Sequence, residues 1–574
     1  MTVGIHHSTP AIIDVDMTAV GAVLERARAA LSADDHACLQ GVVETLVELS
    51  KLVRERGTTI ARLRRLFGLS ASEKTADVFG AAEAGDPDRN AQDAGVVDSD
   101  RNAQDEGAAA PDTSPDAHGG QSDQTADKKT PKGHGRLGAD RYRNAHHIAV
   151  VHSHLAAGTT CPDCAHGNLH PLAEPARLLR IVGQAALSAI SWDCERLRCG
   201  GCGAVFTASA PPEARGPKYD TTAVSMMALL RYGAGMPLHR LDRLQRNLGT
   251  PVPASTQWQV VRDHVSVMVP VYDALVREAA QARILHNDDT SIRILSLMGK
   301  RRAALVAVHA LADADRTGLF TTAIVAITDV GPVALFFSGR KHAGENLAAL
   351  LKERDRTLEP PIHMADGLDR NAPIDHPVVA SNCLAHGRRH LVDEAENFPV
   401  ECRHVLDALG VVFKVDQTCS ENDLSPPQRL EWHQRQSGPV MSELQTWLQA
   451  QLDEKRVEPN SGLGNAFRYL LKRWDKLTLF LRVPGAPIEN NICERILKMA
   501  IRQRNNSLFY RSERGAQVGD IYMALIYTAE LHGENPFEYL VALLEHERDV
   551  AAAPSDWLPW TFRATLAAIE SAAA

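Results

Sequence analysis

At 574 residues, 44% of them hydrophobic and 23% charged, the chain is long enough for three or four domains with apolar cores. Its net charge of −9 does not exclude a nucleic-acid partner, because Thr75–Asp127 holds 13 acidic residues against two arginines and the remaining residues carry +2. The sequence lacks an uninterrupted apolar run of membrane-spanning length, and MTVGIHHSTP does not resemble a signal peptide. We therefore expect a cytoplasmic protein with no membrane partner.

Residues 1–74 are predicted to form a helical N-terminal region. From about Met17 to Phe67 apolar residues follow the a and d positions of a heptad, which Arg56 interrupts. These positions are Leu39, Val42, Leu46, Leu49, Val53, Ile60, Leu63 and Phe67. The pattern favours a coiled coil that makes the protein a homo-oligomer, with packing against the chain's own body as the alternative.

Residues 75–140 are predicted to be a disordered acidic linker. Ala, Gly, Asp, Gln and Pro dominate, and DRNAQD occurs twice, at Asp88–Asp93 and Asp100–Asp105. Such a composition buries too little apolar surface to offset chain entropy. The linker ends in the basic stretch Lys128–Gly138, which is either a solvated linker or an arm that contacts phosphates.

Residues 141–212 are predicted to be a small zinc ribbon. Four cysteines form two CxxC pairs separated by 34 residues: Cys161 with Cys164, and Cys199 with Cys202. Two-residue spacing lets both thiolates of a pair reach one tetrahedral ion, so the pattern predicts one structural Zn²⁺. Cys194 lies nearby at a less suitable spacing. A redox CxxC is the alternative, but the flanking βαβ pattern is missing.

Residues 213–282 are predicted to be a helical region resembling a helix-turn-helix. Pro237–Gly249 and Pro251–Val265 read as two helices joined by a glycine-containing turn. Ser255 or Thr256 is expected to cap the second helix, leaving Gln257, Gln259 and Arg262 to project towards DNA. A purely structural helix pair is equally consistent with this pattern.

Residues 283–512 are predicted to be an α/β core of the RNase H-like class. Three β-rich segments open it, Ile284–Leu295, Ala303–Leu311 and Thr321–Val330, and the apolar run Val333–Phe337 is a further strand candidate. The helical stretch His342–Arg354 and the short strand Pro361–Gly367 follow. In such a fold one aspartate lies on the first strand and another follows the fourth.

Asp288 and Asp366 occupy those two places, with Asp289 and Asp369 as rival assignments. Considered singly, each is more simply an ordinary turn or strand-end aspartate. After them comes CLAHGRRHL, whose Cys383 and His386 resemble metal ligands without an evident partner pair. His386 is either a phosphate contact or a core histidine.

Residues 392–481 are predicted to be a helical insertion in the core. Residues 513–574, including the apolar stretch Gly515–Leu544, are predicted to be a C-terminal helical region. The fold class is therefore multidomain: a helical N-terminal region, a zinc ribbon, a helical DNA-binding region and an α/β core that carries the insertion.

The most informative stretch is PIENNICERILKMAIRQRNNSLFYRSERG, from Pro487 to Gly515. Asn490 and Asn491 are good helix-start residues, because a short amide can accept first-turn N–H groups. Glu494 lies off the apolar stripe of the predicted helix, among many cations. A carboxylate among arginines suits a site for divalent metal beside phosphates, and a surface ion pair of Glu494 with Lys498 is the alternative.

This stretch resembles the signature of transposases of the insertion sequence 66 family, roughly DNNxAERxxR…RKNxLFxGSxxG. Glu489, Lys498 and Asn505 depart from that signature, whereas the carboxylate of Glu494 is kept. Asp288-Asp289-Thr290 is similar to the family's DET motif, and Ala365-Asp366-Gly367 to its aDGY motif with Leu368 in the tyrosine's place. Cys383–Leu391 is similar to the CxAHxRR segment.

The resemblance implies a DDE transposase whose catalytic and metal-binding residues are Asp288, Asp366 and Glu494. Two Mg²⁺ ions, about 3.5–4 Å apart, would activate water or a 3′-OH and stabilise the leaving oxygen. The expected partners are double-stranded DNA, both element ends and target, and small accessory proteins, and DNA-bound protein would be nucleoid-associated. The expected DNA contacts are His386, Arg388, Arg389, Arg495, Lys498, Arg502 and Arg504. The alternatives are a non-catalytic DNA-binding regulator and a nuclease that cuts without joining.

Overall fold

The fold is described from a computed structural model. It covers residues 205–573 except 312, together with 154–164, 166–170, 185–199 and 202, and positions 23, 26, 32, 36, 39, 40, 150 and 152. The chain divides into two compact units, one formed by Pro87–Ala185 and the other by Met1–Asp86 with Ala186–Ala574. The predicted acidic linker and basic arm lie outside the described residues, as do all the predicted heptad positions except Leu39.

The first CxxC pair lies in a tight turn of the unit Pro87–Ala185. Thr160 and Asn168 form an antiparallel bridge, and the N–H of Cys161 donates to the carbonyl of Gly167 at 2.7 Å. The N–H groups of His166 and Gly167 also donate to the Cys164 sulfur and lower the pKa of that thiol. This turn therefore stabilises a thiolate.

The second CxxC pair lies in the other unit, between two short strands. Strand β1 (Arg196–Arg198) pairs antiparallel with β2 (Val205–Thr207), and their connection contains Cys199 and Cys202. The two pairs thus belong to different units, and a shared Zn²⁺ remains a prediction.

The segment before the sheet is helical, as predicted. It contains α1 (Thr221–Ala228), a π-helical turn (Leu229–Gly233), α2 (Leu238–Asn247) and α3 (Ala254–Ala280). Helix α3 buries Val261, Val265, Met268 and Leu275 among others, because its apolar residues recur at helical spacing. It packs against α1, α2 and the sheet, so it belongs to the main apolar core.

Two details predicted for α3 are wrong. The helix begins after Pro253, and no described side chain, including those of Ser255 and Thr256, caps it. Gln257 is buried and donates to the carbonyl of Val252 at 2.7 Å, because a buried amide needs a partner. Gln257 therefore does not project towards a ligand.

Five described strands form one mixed sheet in the order β5-β4-β3-β6-β7. They are β3 (Ile284–Ser291), β4 (Phe320–Thr328), β5 (Gly331–Gly339), β6 (Ile362–Ala365) and β7 (Val379–Asn382). Strand β4 is antiparallel to β3 and β5, whereas β6 and β7 run parallel to β3. Two predicted features are present: a helix, α5 (Ala343–Leu351), follows three strands, and β6 ends immediately before Asp366.

The strand predicted at Ala303–Leu311 is wrong. The segment forms most of α4 (Gly299–Ala307), whose residues are exposed or half-buried, and the third strand of the sheet is instead β5, which contains Val333–Phe337. Lys, Arg, Ala and Leu are strong helix formers, and this propensity decides the structure where burial does not.

The predicted insertion is helical, its first helix begins before the predicted boundary at residue 392, and its apolar core also includes Ile362 of β6. It follows β7 with α6 (Leu384–Glu394), α7 (Pro399–Glu421), α8 (Pro426–Asp453), α9 (Gly462–Lys472) and α10 (Trp474–Leu477). Val405, Leu409, Leu444 and Phe467 are among its buried residues. Helices α7 and α8 pack side by side, as two consecutive amphipathic helices joined by a short loop do.

The remaining helices return the chain to the sheet. Helix α11 (Asn491–Ser507) packs against β3 and β4, and α12 (Glu513–Leu531) packs against β5 and α3. They are followed by α13 (Pro536–Glu545), α14 (Glu547–Ala552) and α15 (Phe562–Ala573). Among the helices of the described residues, none is both long and apolar enough to cross a membrane.

Candidate functional site

Asp288 and Asp366 lie side by side on neighbouring parallel strands. The register of β3 and β6 pairs Ile284 with Ile362 and His286 with Met364. Two residues further along each chain are Asp288, within β3, and Asp366, directly after β6. Because parallel strands advance in step, both carboxylates are placed at the same end of the sheet.

Glu494 joins them from the first turn of α11. That helix packs on β3, and its positive N-terminal end favours an anion. The pKa of Asp288 is raised to about 7, first by burial and then by the negative charge of Asp366, with smaller contributions from Asp289 and Glu494. The negative charges of Asp366 and Glu494 therefore both reach Asp288 and disfavour its ionisation.

The turn that carries Asp366 is held by several hydrogen bonds. Its Oδ1 accepts from the N–H of Leu368 at 2.9 Å and from Asn371 Nδ2 at 2.8 Å. The Tyr469 hydroxyl donates to its carbonyl at 2.8 Å. Gly367 has φ +87°, and a Cβ there would lie 2.8 Å from Arg473 Nε, so glycine is required after Asp366.

A buried polar network lies beneath the three carboxylates. Asn490 Nδ2 donates to the carbonyl of Asn287 at 3.1 Å, and its Oδ1 lies 3.0 Å from His286 Nδ1. Asn287 in turn donates to the carbonyl of Asn371 at 2.8 Å, and its Oδ1 lies 2.9 Å from His363 Nε2. The network thus connects the residue before Asp288, the residue that holds Asp366 and the start of the helix that carries Glu494.

Asn490 marks the start of a helix, as predicted, but its side chain does not accept the first-turn N–H groups. Helix α11 does begin directly after Asn490, but among the described residues no side chain caps it. Asn490 is fully buried, and its amide binds β3 instead, while its N–H donates to Cys383 Sγ at 3.2 Å. The local sequence correctly indicates a helix start, but the Asn490 side-chain amide donates to the Asn287 carbonyl of β3 and does not cap the helix.

The rival aspartates are placed differently. The Asp289 side chain is 1% exposed, and it accepts from Arg370 at 2.8 Å and from the N–H of Ala343 at the start of α5 at 3.1 Å. It is therefore already satisfied by protein donors. Asp369 is exposed at the beginning of a short 3₁₀ turn. This arrangement favours Asp288 and Asp366 as the members of the cluster.

Cys383, His386 and Glu494 meet at the junction of α6 and α11. One potential ligand atom from each lies within 4.8 Å of the other two. His386 Nδ1 is 3.4 Å from Glu494 Oε1, and an Arg389 guanidinium nitrogen is 3.8 Å from Glu494 Oε2. The partner that Cys383 and His386 lack in the sequence is supplied by a residue more than a hundred positions away.

The predicted DNA contacts differ in their surroundings. Arg495, Lys498 and Arg502 are exposed on α11, and Arg388 is half-buried on α6. Arg504 instead donates to Thr290 Oγ1 at 2.8 Å and to the Ser291 carbonyl at 2.7 Å, which attaches α11 to the end of β3.

Sequence reasoning missed the network residues His286, Asn287, His363 and Asn371. Their signal was available: His286, Asn287 and His363 interrupt apolar strands at positions that are buried, and buried polar groups require partners. Their partners were not predictable, because they come from other strands and loops.

Comparison with known proteins identifies a matching protein family and similar proteins from one organism. Residues 218–518 match the model of a protein family described as Transposase IS66 family. The chain is also similar to two uncharacterized proteins of Sinorhizobium fredii (strain NBRC 101917 / NGR234). Protein y4hP is 24% identical over 430 residues, covering 71% of this chain and 74% of y4hP. Protein y4jD is 25% identical over 422 residues, covering 70% and 78%.

The matched range contains the whole sheet, the insertion and α11, and therefore all three carboxylates of the cluster. It spans more than half of the chain. The chain belongs to the Transposase IS66 family.

Proposed function

We propose that this protein binds the ends of its insertion sequence, cuts DNA there and joins the cut end to target DNA. Asp288, Asp366 and Glu494 are its catalytic residues. The observation that carries this proposal is their clustering: burial and the neighbouring carboxylates raise the pKa of Asp288 to about 7. A buried group of like charges is stabilised by a bound cation.

The donor set fits Mg²⁺. All three side chains offer oxygen, the ligand that Mg²⁺ prefers, and Mg²⁺ sites use few carboxylates. Glu494 Oε1 is buried and has no hydrogen-bond partner among the described residues, so it is available as a ligand. When bound, a pair of Mg²⁺ ions supplies Lewis-acid activation of a water or 3′-OH and stabilises the leaving oxygen.

The chain's own residues orient the reacting groups. Asn371 and the N–H of Leu368 fix one oxygen of Asp366 and so leave the other to face the cluster. His386 and Arg389 lie beside Glu494 and are proposed to contact the phosphates that flank the cut. Arg495, Lys498 and Arg502 extend this positive surface along α11, and Arg388 extends it on α6.

The fold assignment is part of the proposal. We assign the sheet to the RNase H-like class, because β4 alone runs opposite to the other four described strands and β3 lies at the centre of the order. A central first strand and an adjacent fourth strand bring two acidic residues together in that class.

Three further expectations complete the proposal. Cys161, Cys164, Cys199 and Cys202 would bind one structural Zn²⁺, an assignment that rests on their spacing. The protein would act as a homo-oligomer that holds the element ends and the target, with small accessory proteins as additional partners. It would be cytoplasmic and nucleoid-associated when bound to DNA.

The test is strand transfer with purified full-length protein, Mg²⁺ and labelled DNA that carries the sequences flanking its own gene. We expect joined product from the wild type and none from Glu494→Gln. Glu513→Gln is the matched control, because Glu513 is also an acidic residue in the first turn of a helix but is exposed on α12. It should retain activity.

The other outcomes separate the alternatives. Cutting without joining by the wild type would identify a nuclease. Binding without cutting, in the presence and absence of the element's small proteins, would identify a DNA-binding regulator. Equal activity of the wild type and Glu494→Gln would overturn the assignment of Glu494.

A further inference from the structure

The geometry points to a second kind of metal site, formed by Cys383, His386 and Glu494 and suited to a thiophilic divalent ion such as Zn²⁺. Sulfur, nitrogen and carboxylate ligand atoms of these residues lie within 4.8 Å of one another. The site shares Glu494 with the proposed Mg²⁺ cluster but takes its other two ligands from the start of α6.

The backbone explains why these side chains converge. Cys383 immediately precedes α6, and His386 lies in the first turn of that helix. The carbonyl of Ile488 accepts the N–H of Leu384 at 2.9 Å, and Cys383 Sγ accepts the N–H of Asn490 at 3.2 Å. These two hydrogen bonds hold the start of α6 against the segment that leads into α11, so Glu494 is brought to the CxxH pair by backbone contacts.

The donor set distinguishes this site from the carboxylate cluster. A thiolate, an imidazole and a carboxylate together select Zn²⁺ or a similar transition ion, whereas Mg²⁺ prefers oxygen ligands alone. Three protein ligands with one open position are also the arrangement found in catalytic and exchangeable zinc sites. Burial raises the pKa of the Cys383 thiol to about 11, with a smaller opposing contribution from the N–H of Asn490, so an ion that binds there displaces the thiol proton.

Two of the ligand atoms are unsatisfied in the protein alone. His386 Nδ1 and Glu494 Oε1 are both buried, and neither has a hydrogen-bond partner among the described residues. They face each other at 3.4 Å, and Arg389 approaches the other carboxylate oxygen, Oε2, instead. An ion between them would satisfy both atoms, and a charged pair of His386 with Glu494 is the competing arrangement.

This site has a regulatory consequence, which rests on the proposed function. Glu494 cannot coordinate Mg²⁺ beside Asp288 and Asp366 while it is held by an ion bound to Cys383 and His386. Zn²⁺ at low concentration is therefore expected to inhibit Mg²⁺-dependent strand transfer by withdrawing the third carboxylate.

The site itself is tested without DNA, by titrating full-length protein with Co²⁺ and recording the thiolate-to-cobalt and ligand-field absorption bands. The four cysteines of the CxxC pairs are retained in every variant, so their contribution is constant. Compared with wild type, Cys383→Ser, His386→Asn and Glu494→Gln should each lose one equivalent of bound Co²⁺. Cys402→Ser is the matched control, because Cys402 is equally buried but lies in the core of the insertion.

Identical stoichiometry and spectra in wild type and all three ligand variants would overturn the site. Circular dichroism identifies a variant that fails to fold. The deciding readout is loss of the thiolate-to-cobalt band in Cys383→Ser together with loss of Co²⁺ in His386→Asn, because Glu494→Gln would also lose an ion from the carboxylate cluster. The regulatory consequence is tested separately, by titrating Zn²⁺ into the Mg²⁺ strand-transfer reaction. Each protein's rate is expressed relative to its own rate in Mg²⁺ alone. The Zn²⁺ concentration for half-maximal inhibition should then be at least tenfold higher for Cys383→Ser than for wild type, and an equal concentration would overturn the consequence.

Discussion

The sheet and the helical insertion organise polar chemistry in different ways. On the sheet, Asp288 and Asp366 are placed by strand register, and buried amides beneath them fix the surrounding backbone. The insertion has a second apolar core, which includes Ile362 of β6, and its first helix carries His386 and Arg389 towards the carboxylates. The two aspartates are therefore placed by the sheet, whereas His386 and Arg389, proposed to contact phosphates, are placed by a helix that packs against the sheet through the insertion.

The two regions also differ in the surroundings of an aspartate: Asp520 is buried and Asp416 is half-buried. Asp520, on α12 against the sheet, accepts only from the N–H and hydroxyl of Ser338, both at 2.7 Å, among its described neighbours. Asp416, in the insertion, pairs with Arg429 and lies 3.0 Å from His433 Nε2. The Asp520 carboxylate is buried among neutral donors, whereas the Asp416 carboxylate is paired with the Arg429 guanidinium. Removal of the charge should therefore change stability in opposite directions in the two regions.

The largest expected effect is on the sheet carboxylates. Asp366→Asn should lower the rate of strand transfer by at least about 10³-fold, because a metal ligand is lost and metal-ion stabilisation of the reacting charges is worth several kcal/mol. Asp369→Asn, three residues away and exposed, is the control and should leave the rate near that of wild type. A similar loss of rate in both variants would show that the activity depends on the conformation of this loop and not on the Asp366 carboxylate.

The second prediction concerns the pH dependence of stability and uses Asp520. Burial raises the pKa of Asp520 to about 7. The folded state therefore binds this proton more tightly than the unfolded state, and the corresponding stability, present below about pH 4, is lost as the pH rises to about 7. The loss is roughly 4 kcal/mol at most. Asp520→Asn should raise the free energy of unfolding at pH 8 and flatten its fall between pH 5 and pH 8.

Asp416→Asn should do the reverse. Removing this carboxylate leaves Arg429 and the buried His433 without their anionic partner, so we expect a destabilisation of about 1–3 kcal/mol at pH 7. Urea unfolding of wild type and both variants at several pH values measures this. The contrast between the regions fails if the two variants shift stability in the same direction.

The third prediction addresses the buried polar network that joins β3, β6 and the start of α11. Asn490→Ala removes the donor to the Asn287 carbonyl and the partner of His286, so strand transfer should fall by about 10–100-fold, as it does when supporting residues of metal sites are removed. Asn505→Ala on the exposed face of the same helix is the control. A positioning role predicts weaker apparent Mg²⁺ affinity in Asn490→Ala, measured as the Mg²⁺ concentration for half-maximal rate, whereas a merely structural role leaves that value unchanged.

The smallest effect separates two cations of α11. Lys498 is exposed, and Lys498→Gln should weaken DNA binding uniformly across sequences and reduce the slope of log affinity against log salt by about one. Arg504→Gln should leave that slope unchanged and cost about 1 kcal/mol of stability, because its guanidinium binds Thr290 and Ser291. Equal changes of this slope in the two variants would show that both Lys498 and Arg504 contact DNA phosphates.

The sequence by itself determined the types and the order of most elements around the site. Alternating apolar and β-branched residues predicted β3 and β4, and helical spacing predicted α3, the insertion and α11, because these patterns report burial on one face. The motif residues Asp288, Asp366 and Glu494 were predicted in chain order from the resemblance to the family's motifs, whereas local context alone left each of the two aspartates as an ordinary turn or strand-end residue. Local propensity was also sufficient to indicate that α11 begins next to Asn490.

The tertiary structure decided what depends on partners distant in the chain. It placed Val333–Phe337, and not Ala303–Leu311, in the sheet beside β4, and it made the Asn490 amide a hydrogen-bond donor to β3 instead of a helix cap. It also brought Glu494 to Cys383 and His386. Propensity and spacing act over a few residues, whereas strand register and helix packing join residues far apart in the chain, and only those long-range contacts define the site.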